Sequence, residues 1–477
     1  MGKFFKFSAA AWMKFRLAFI FLFFAGMYGI LIFNLYNLQL EKSFYYSAKA
    51  AAQNSGLEPE VKRGNIYFLG KSGDLAPAAI NREFPFIYAV SEEIEDVKEA
   101  AAMLEPVVNV PAPALEKMFS KKGDLFELIL EKAGSEQVNA AKALNLKGIY
   151  IKERLGRFYP FGKLASQVLG FVGINSENEQ PTGLYGTEFF YDTLLETGDL
   201  DLTLDRNLQL KSEEVLENLV SDFKASGGSV IIQEPKTGKI LALANYPFFD
   251  PNFYSEYEIG TFINPAVQKI YEPGSVFKII TMAAGLDAGK ITPRTSYFDS
   301  GSVKVADRVI KNWDHKAHGE ITMTEVIEKS VNTGAVYAEK STGHDLFYNY
   351  LVDFGFGDKT GIDLPGELSG DLKNLSKKAN EAINFATASF GQGVAVTPIQ
   401  LVNAVSAIAN GGFLMKPYLN SGFQPQITRK VINKKAAEEA ALEPDVPMLV
   451  TGESHESAPK EEKKEKEAPV EGKKDKK

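Results

Sequence analysis

The chain has 477 residues, enough for two or three domains with cores of ordinary size. Its formal charge of −8 argues against nucleic acid as a principal partner. It has no cysteine, which excludes a disulfide framework and a thiolate zinc site.

Phe15 to Phe33 is apolar apart from Arg16. As a helix it is long enough to cross a hydrocarbon layer of about 30 Å. The anchor is drawn over residues 15–35. Lys3, Lys6, Lys14 and Arg16 cluster at its start, so residues 1–14 are expected in the cytoplasm and the bulk of the chain outside. A cleaved signal peptide has a shorter apolar run with small residues after it. Here the run continues through Asn34-Leu35-Tyr36, which predicts an uncleaved single-pass anchor in contact with membrane lipid.

Residues 53–199 mix short strands, turns and amphipathic helices. Val61 to Phe68 reads as a strand with a glycine interruption, and Ile94 to Val110 and Ala114 to Leu146 as helices. Arg157-Phe158-Tyr159-Pro160 closes the segment in a turn. No histidine or acidic constellation with catalytic spacing occurs there, so a spacer or docking pedestal is expected.

From Leu200 the pattern changes. Leu200 to Leu204 alternates as a strand, and Asp205 opens a helix over Leu208 to Phe223. Gly228 to Gln233 and Lys239 to Asn245 are β-rich runs around the hairpin signal Glu234-Pro235-Lys236-Thr237-Gly238. Helices are expected over Thr322 to Glu328, Phe347 to Phe354 and Ile399 to Ala409, the last ending at Asn410-Gly411-Gly412. Another begins at Lys434. Residues 451–477 are mostly Glu, Lys, Pro and Ala, too poor in apolar groups to offset the entropy of ordering, and are expected to be disordered. His315 and His318 are spaced like a metal pair but lack a third ligand nearby; they read as polar loop residues. No metal or organic cofactor is implied.

The chemistry concentrates at Tyr271-Glu272-Pro273-Gly274-Ser275-Val276-Phe277-Lys278, which runs into the apolar Ile279 to Leu286. Pro273 and Gly274 break the chain before a helix. Ser275 and Lys278 are three apart and share a face of it. A serine hydroxyl is a weak nucleophile until a base takes its proton. A lysine can be that base only where burial or a neighbouring cation favours its neutral form. Two other pairs have the same spacing, Ser221 with Lys224 and Ser457 with Lys460. They lie at the end of a charged helix and in the tail, and are read as solvated.

These motifs, taken in order, resemble the class B penicillin-binding proteins of the division type. The resemblance runs through Arg63-Gly64-Asn65-Ile66, Arg157-Phe158-Tyr159-Pro160, Leu202-Thr203-Leu204-Asp205 and Glu272 to Lys278. It continues through Ser330-Val331-Asn332-Thr333-Gly334, Gly361-Ile362-Asp363-Leu364-Pro365-Gly366-Glu367, Phe390-Gly391-Gln392-Gly393 and Val396-Thr397-Pro398. It implies an α+β fold: a serine β-lactamase-like transpeptidase domain over residues 200–450, with a central antiparallel sheet and helices. An α+β pedestal of the dimerisation type would occupy residues 53–199. It further implies a serine acyl-enzyme that cross-links peptidoglycan stem peptides and reacts with β-lactams. Ser275 would be the nucleophile, Lys278 its proton acceptor and Ser330 a proton relay. Asn332 would hold the substrate amide and the lysine, and Gly391 and Gln392 would help hold the substrate. With no glycosyltransferase region before the transpeptidase, a membrane glycosyltransferase and cell-wall or division proteins are the implied partners.

The resemblance also calls for a Lys-Ser/Thr-Gly strand beside the site. Lys71-Ser72-Gly73 and Lys236-Thr237-Gly238 precede the nucleophile, and the second is a hairpin turn. Lys359-Thr360-Gly361 follows Asn332 but sits in a glycine-rich loop with no strand before it. The expectation is therefore that the strand, and the sheet edge it would complete, is missing. That leaves open an impaired or truncated scaffold of the same fold.

Overall fold

The computed structural model describes residues 63–441, save 71, 122–125, 175–180 and 377–381, together with a few positions between 20 and 31. Most of the expected anchor, Val61 and Lys62, Lys71 of the first Lys-Ser-Gly triplet and the whole of 451–477 lie outside the described residues. Among the described residues no helix is long and apolar enough to cross a membrane.

The chain divides into two compact units. The first gathers Pro77–Pro160 and Asp192–Leu200 with the chain up to Tyr67. The strand expected near its start is Ile66–Leu69 (β1). The unit's main feature is a long antiparallel ribbon. Leu75–Ala89 (β2) pairs with Ile149–Phe158 (β4) from Ile80↔Phe158 to Ala89↔Ile149, and its far end also pairs with Glu127–Leu130 (β3). Helices Val97–Val108 (α1), Ala112–Phe119 (α2) and Ser135–Leu144 (α3) build a core with Ile87, Ala89, Leu104, Leu115 and Phe119. Asp96 caps α1, its carboxylate accepting from the Lys98 and Glu99 amides at 3.0 Å each.

Two differences from expectation have physical causes. The expected helix over Ala114 to Leu146 is interrupted by β3, whose alternating Glu127-Leu128-Ile129-Leu130 buries every second residue. The length of β2 was hidden by Pro77 and Pro85, residues that normally end strands. Pro85 lies outside the stretch paired with β3, so its missing N–H costs no bond to that strand.

The second unit comprises Phe68–Ala76, Phe161–Tyr191 and the chain from Asp201. The strand expected from Leu200 is Leu200–Leu202 (β5). Arg206–Phe223 (α4) is capped by the Asp205 carboxylate, which accepts from Asn207 N at 2.8 Å and Leu208 N at 3.0 Å. This helix packs on the hairpin Gly228–Gln233 (β6) and Ile240–Tyr246 (β7). Among the described residues these two strands form a two-stranded sheet. Tyr418 flanks its turn, accepting from Ile240 N and donating to Gly238 O.

A helical core stands beside the hairpin. Lys278–Asp287 (α5) buries Phe277, Ile280, Ala283 and Ala284 with Phe347 and Leu351. The last two belong to His344–Asp353, which follows Met323–Glu328 (α6) and Asn332–Thr342 (α7) and is labelled α8. Ala382–Ala388 (α9), Pro398–Ala409 (α10) and Lys434–Ala440 (α11) close around them. Each large side chain buried this way contributes roughly 1.5–3 kcal/mol. α5 is thereby anchored by burial along most of its length. Between α5 and α6 the chain forms two small antiparallel pairs. Ser296–Asp299 (β8) pairs with Gly319–Thr322 (β11), and Ser302–Val305 (β9) with Arg308–Lys311 (β10).

Candidate active site

Ser275 sits on a single 3-10 turn, Gly274–Phe277, that leads directly into α5. Gly274 has a φ of 63°, a left-handed conformation that costs glycine little. Phe277 plugs into the helical core, which fixes the turn, and Lys278 follows as the first residue of α5. The three-residue spacing puts the lysine one turn on, and its Nζ lies 3.1 Å from Ser275 Oγ.

Lys278 is only 2 % exposed. Its Nζ also donates to Ser330 Oγ at 2.9 Å and to the Ser330 carbonyl at 2.7 Å. Two hydroxyls and a carbonyl thus take the place of water around this nitrogen. Ser330 lies in the short turn between α6 and α7 with a φ of 52°, strained for a residue with a side chain. That conformation turns its carbonyl and its hydroxyl toward the same nitrogen. α6, whose far end leads into this turn, starts at a capping box in which Thr322 and Glu325 exchange bonds. The Glu325 carboxyl is held down to about 2, chiefly by the Thr322 backbone N–H, then by Lys329 and the Thr322 hydroxyl.

Asn332 opens α7, two residues beyond Ser330, and its Nδ2 donates to Lys311 O at 3.0 Å. Gly391 lies against the nucleophile turn. Its carbonyl accepts from Gly274 N at 3.0 Å, its φ is 78°, and a Cβ there would stand 2.1 Å from Gly274 O. Gln392 follows with its side chain exposed. Gly393 N donates to Glu272 Oε1 at 2.7 Å, and Tyr271 and Val396 exchange backbone bonds at 3.0 and 2.9 Å. Residues 391–396 therefore form a strap across the turn that carries Ser275. The structure joins Ser275, Lys278 and Ser330 by direct hydrogen bonds and sets Gly391 against Gly274, the residue before the nucleophile. The Asn332 carboxamide is turned to Lys311.

Glu272 was missed as a tie between turn and strap, since its partner lies 121 positions away and no local pattern marks it. The rejected triplet at Lys359 has a local role. Thr360 N, Thr360 Oγ1 and Gly361 N all donate to the Glu367 carboxylate at 2.7, 2.5 and 3.0 Å, which closes the loop on itself. His318 Nε2 lies 3.2 Å from Asp314 Oδ2. Among the described residues no group of three His, Asp or Glu is placed to hold a metal.

A serine within hydrogen-bond distance of a buried lysine, with a second serine on the same nitrogen, is a cluster that suits acyl transfer. The chain is similar to known proteins along most of its length. Residues 228–473 match the penicillin binding protein transpeptidase domain, and residues 59–191 the penicillin-binding protein dimerisation domain. The chain is 33 % identical over 456 residues to stage V sporulation protein D of Bacillus subtilis (strain 168), covering 87 % of this chain and 69 % of that protein. It is 29 % identical over 361 residues to a peptidoglycan D,D-transpeptidase FtsI homolog of Mesostigma viride, covering 68 % and 60 %. Peptidoglycan D,D-transpeptidase MrdA of Escherichia coli (strain K12) is 27 % identical over 462 residues, covering 82 % and 71 %. The chain thus spans between 60 % and 71 % of these relatives' lengths. The crystal structure of penicillin binding protein 2X from Streptococcus thermophilus shares the fold, with a TM-score of 0.61 and 23 % identity over 80 % of this chain and 64 % of that one. The chain belongs to the class B penicillin-binding proteins.

Proposed function

We propose that the chain is a peptidoglycan D,D-transpeptidase working through an acyl-enzyme on Ser275. The observation that carries this reading is the position of Lys278 Nζ, 3.1 Å from Ser275 Oγ and 2.9 Å from Ser330 Oγ. Ser275 Oγ attacks the penultimate D-Ala carbonyl of a donor stem peptide, and its proton passes to the neutral Lys278 amine. The C–N bond breaks, Ser330 relays the proton to the leaving amine, and D-Ala departs. An amine of a second stem then attacks the ester, loses a proton along the same path, and the Ser275 hydroxyl is restored. Asn332, Gly391 and Gln392 hold the donor strand. A β-lactam acylates the same hydroxyl. The substrate class is supported by the activity in the relatives' names.

The same reading has residues 1–14 in the cytoplasm and 15–35 as a single-pass membrane anchor. It places a pedestal over 53–199, the transpeptidase domain over 200–450 and a charged tail over 451–477. The protein then works outside the cytoplasmic membrane beside a membrane glycosyltransferase and cell-wall or division proteins.

The test is exchange. Purified protein is given a D-Ala-D-Ala stem-peptide thioester analogue and a labelled D-amino acid as acceptor. Labelled product that disappears in Ser275→Ala supports the reading. Equal product from parent and variant, or none from either, refutes it.

A further inference from the structure

Beside Ser330 and Asn332 lies a buried carboxylate that acyl transfer does not use. Asp299 ends β8 and is 0 % exposed. It accepts from Thr333 Oγ1 at 2.7 Å, Asn312 Nδ2 at 2.8 Å, Gly301 N at 2.9 Å and His318 N at 3.0 Å. Burial pushes this carboxyl up, but the four hydrogen bonds outweigh it and hold it below the usual range. It is therefore an ionised acceptor with its lone pairs occupied, the condition on which a buried charge is tolerated.

Thr333 is the hub. Its hydroxyl donates to Asp299 and meets Tyr297 OH at 3.0 Å. Burial pushes the Tyr297 phenol up to about 12, so it keeps its proton and donates to Thr333. Thr333 N, one of the amides that a helix start leaves without an intrahelical partner, donates to Asn312 Oδ1 at 3.2 Å. The Asn312 carboxamide also donates to Lys316 O at 3.0 Å. Its chain neighbour Lys311 gives its carbonyl to Asn332. Three separate segments converge here: the end of β8, the loop after β10 and the first turn of α7.

We propose that Asp299, acting through Thr333 and Asn312, is a positioning residue that fixes the start of α7 and so keeps Ser330 and Asn332 in register with Lys278. The proposal rests on the acyl-transfer reading, because register matters only if those side chains meet the substrate. Ser330 needs such a tie. It holds a left-handed conformation three residues before Thr333, and a loose helix start would let that turn relax. The Lys278 bonds hold one end of the turn, and the Asp299 network holds the other.

The test uses Thr333→Val, which keeps the shape and removes the hydroxyl, Thr333→Ser, which restores it, and Asp299→Asn. Acylation by a fluorescent penicillin is resolved into a saturation constant and an acylation rate constant, beside melting curves. Thr333→Val and Asp299→Asn should lower the rate constant about tenfold to a hundredfold with the saturation constant nearly unchanged, and Thr333→Ser should recover most of the loss. A lower melting temperature with an unaltered rate constant overturns the proposal. Hydrogen exchange of the peptide over residues 329–336 decides the matter without any acylation. It should quicken in Thr333→Val and not in Thr333→Ser, and equal exchange in all three proteins overturns the proposal. A parent chain that takes no penicillin refutes the acyl-transfer reading instead, and the exchange measurement still stands.

Discussion

Gly391→Ala tests whether the strap sets the nucleophile. The new methyl would stand 2.1 Å from the Gly274 carbonyl oxygen and 2.7 Å from Gly274 N, both backbone atoms that cannot swing aside. Ordinary contact requires strap and turn to part by about 1 Å. The φ of 78° adds strain of roughly 1–2 kcal/mol for a residue with a side chain. Displacing a reacting group by about 1 Å costs on the order of a hundredfold in rate. Acylation by penicillin should therefore fall about a hundredfold while the melting curve moves only a few degrees. Gly274→Ala separates the two causes, since its φ is also positive at 63° but nothing lies within 4 Å of the added carbon. It should share the strain and lose much less rate. A time course of fluorescent penicillin labelling on all three proteins is the assay. Gly391→Ala acylating within about twofold of the parent would show that the strap does not position Ser275.

Lys278→Met, similar in length but with no proton acceptor, should slow acylation by at least about a hundredfold, measured by the same labelling time course; parental rates would remove the lysine from the mechanism. Burial raises the Glu339 carboxyl above its ordinary value, against weaker lowering by His344, whose Nδ1 lies 2.5 Å away. A raised acid favours the folded state below its unfolded pKa and loses that contribution as pH rises through the folded value. Glu339→Gln should therefore gain melting temperature relative to the parent as pH rises from about 4.5, and a difference flat in pH would refute the sign. Asp205→Ala removes the cap of α4 and should cost about 1 kcal/mol in denaturant unfolding with an unchanged acylation rate; no loss of stability would deny the cap its role.

What could be read from the sequence was local. The i, i+3 spacing of Ser275 and Lys278 translates into a 3.1 Å contact because one turn of backbone joins them. Asp205 before an amphipathic run is a cap signal that needs no knowledge of the rest of the chain. Ser330 could be singled out only through the resemblance, because its 52 positions of separation from Lys278 are closed by packing and not by pattern. The same limit hid the Glu272 to Gly393 tie and the Asp299 to Thr333 bond, which join residues 121 and 34 apart. β2 was obscured by its prolines, which a strand tolerates where a neighbour does not need their amide. β3 was lost in a helical reading because four residues are too short a window to separate period 2 from period 3.6.

The central claim is that Ser275 is the acylated residue and that Lys278 activates it. Benzylpenicillin incubated with the whole chain, followed by digestion and peptide mass spectrometry, tests it most directly. The account predicts a single stoichiometric penicilloyl adduct on the peptide containing Ser275, absent from Ser275→Ala and strongly reduced in Lys278→Met. An adduct on another residue, or an undiminished one in Lys278→Met, would contradict it.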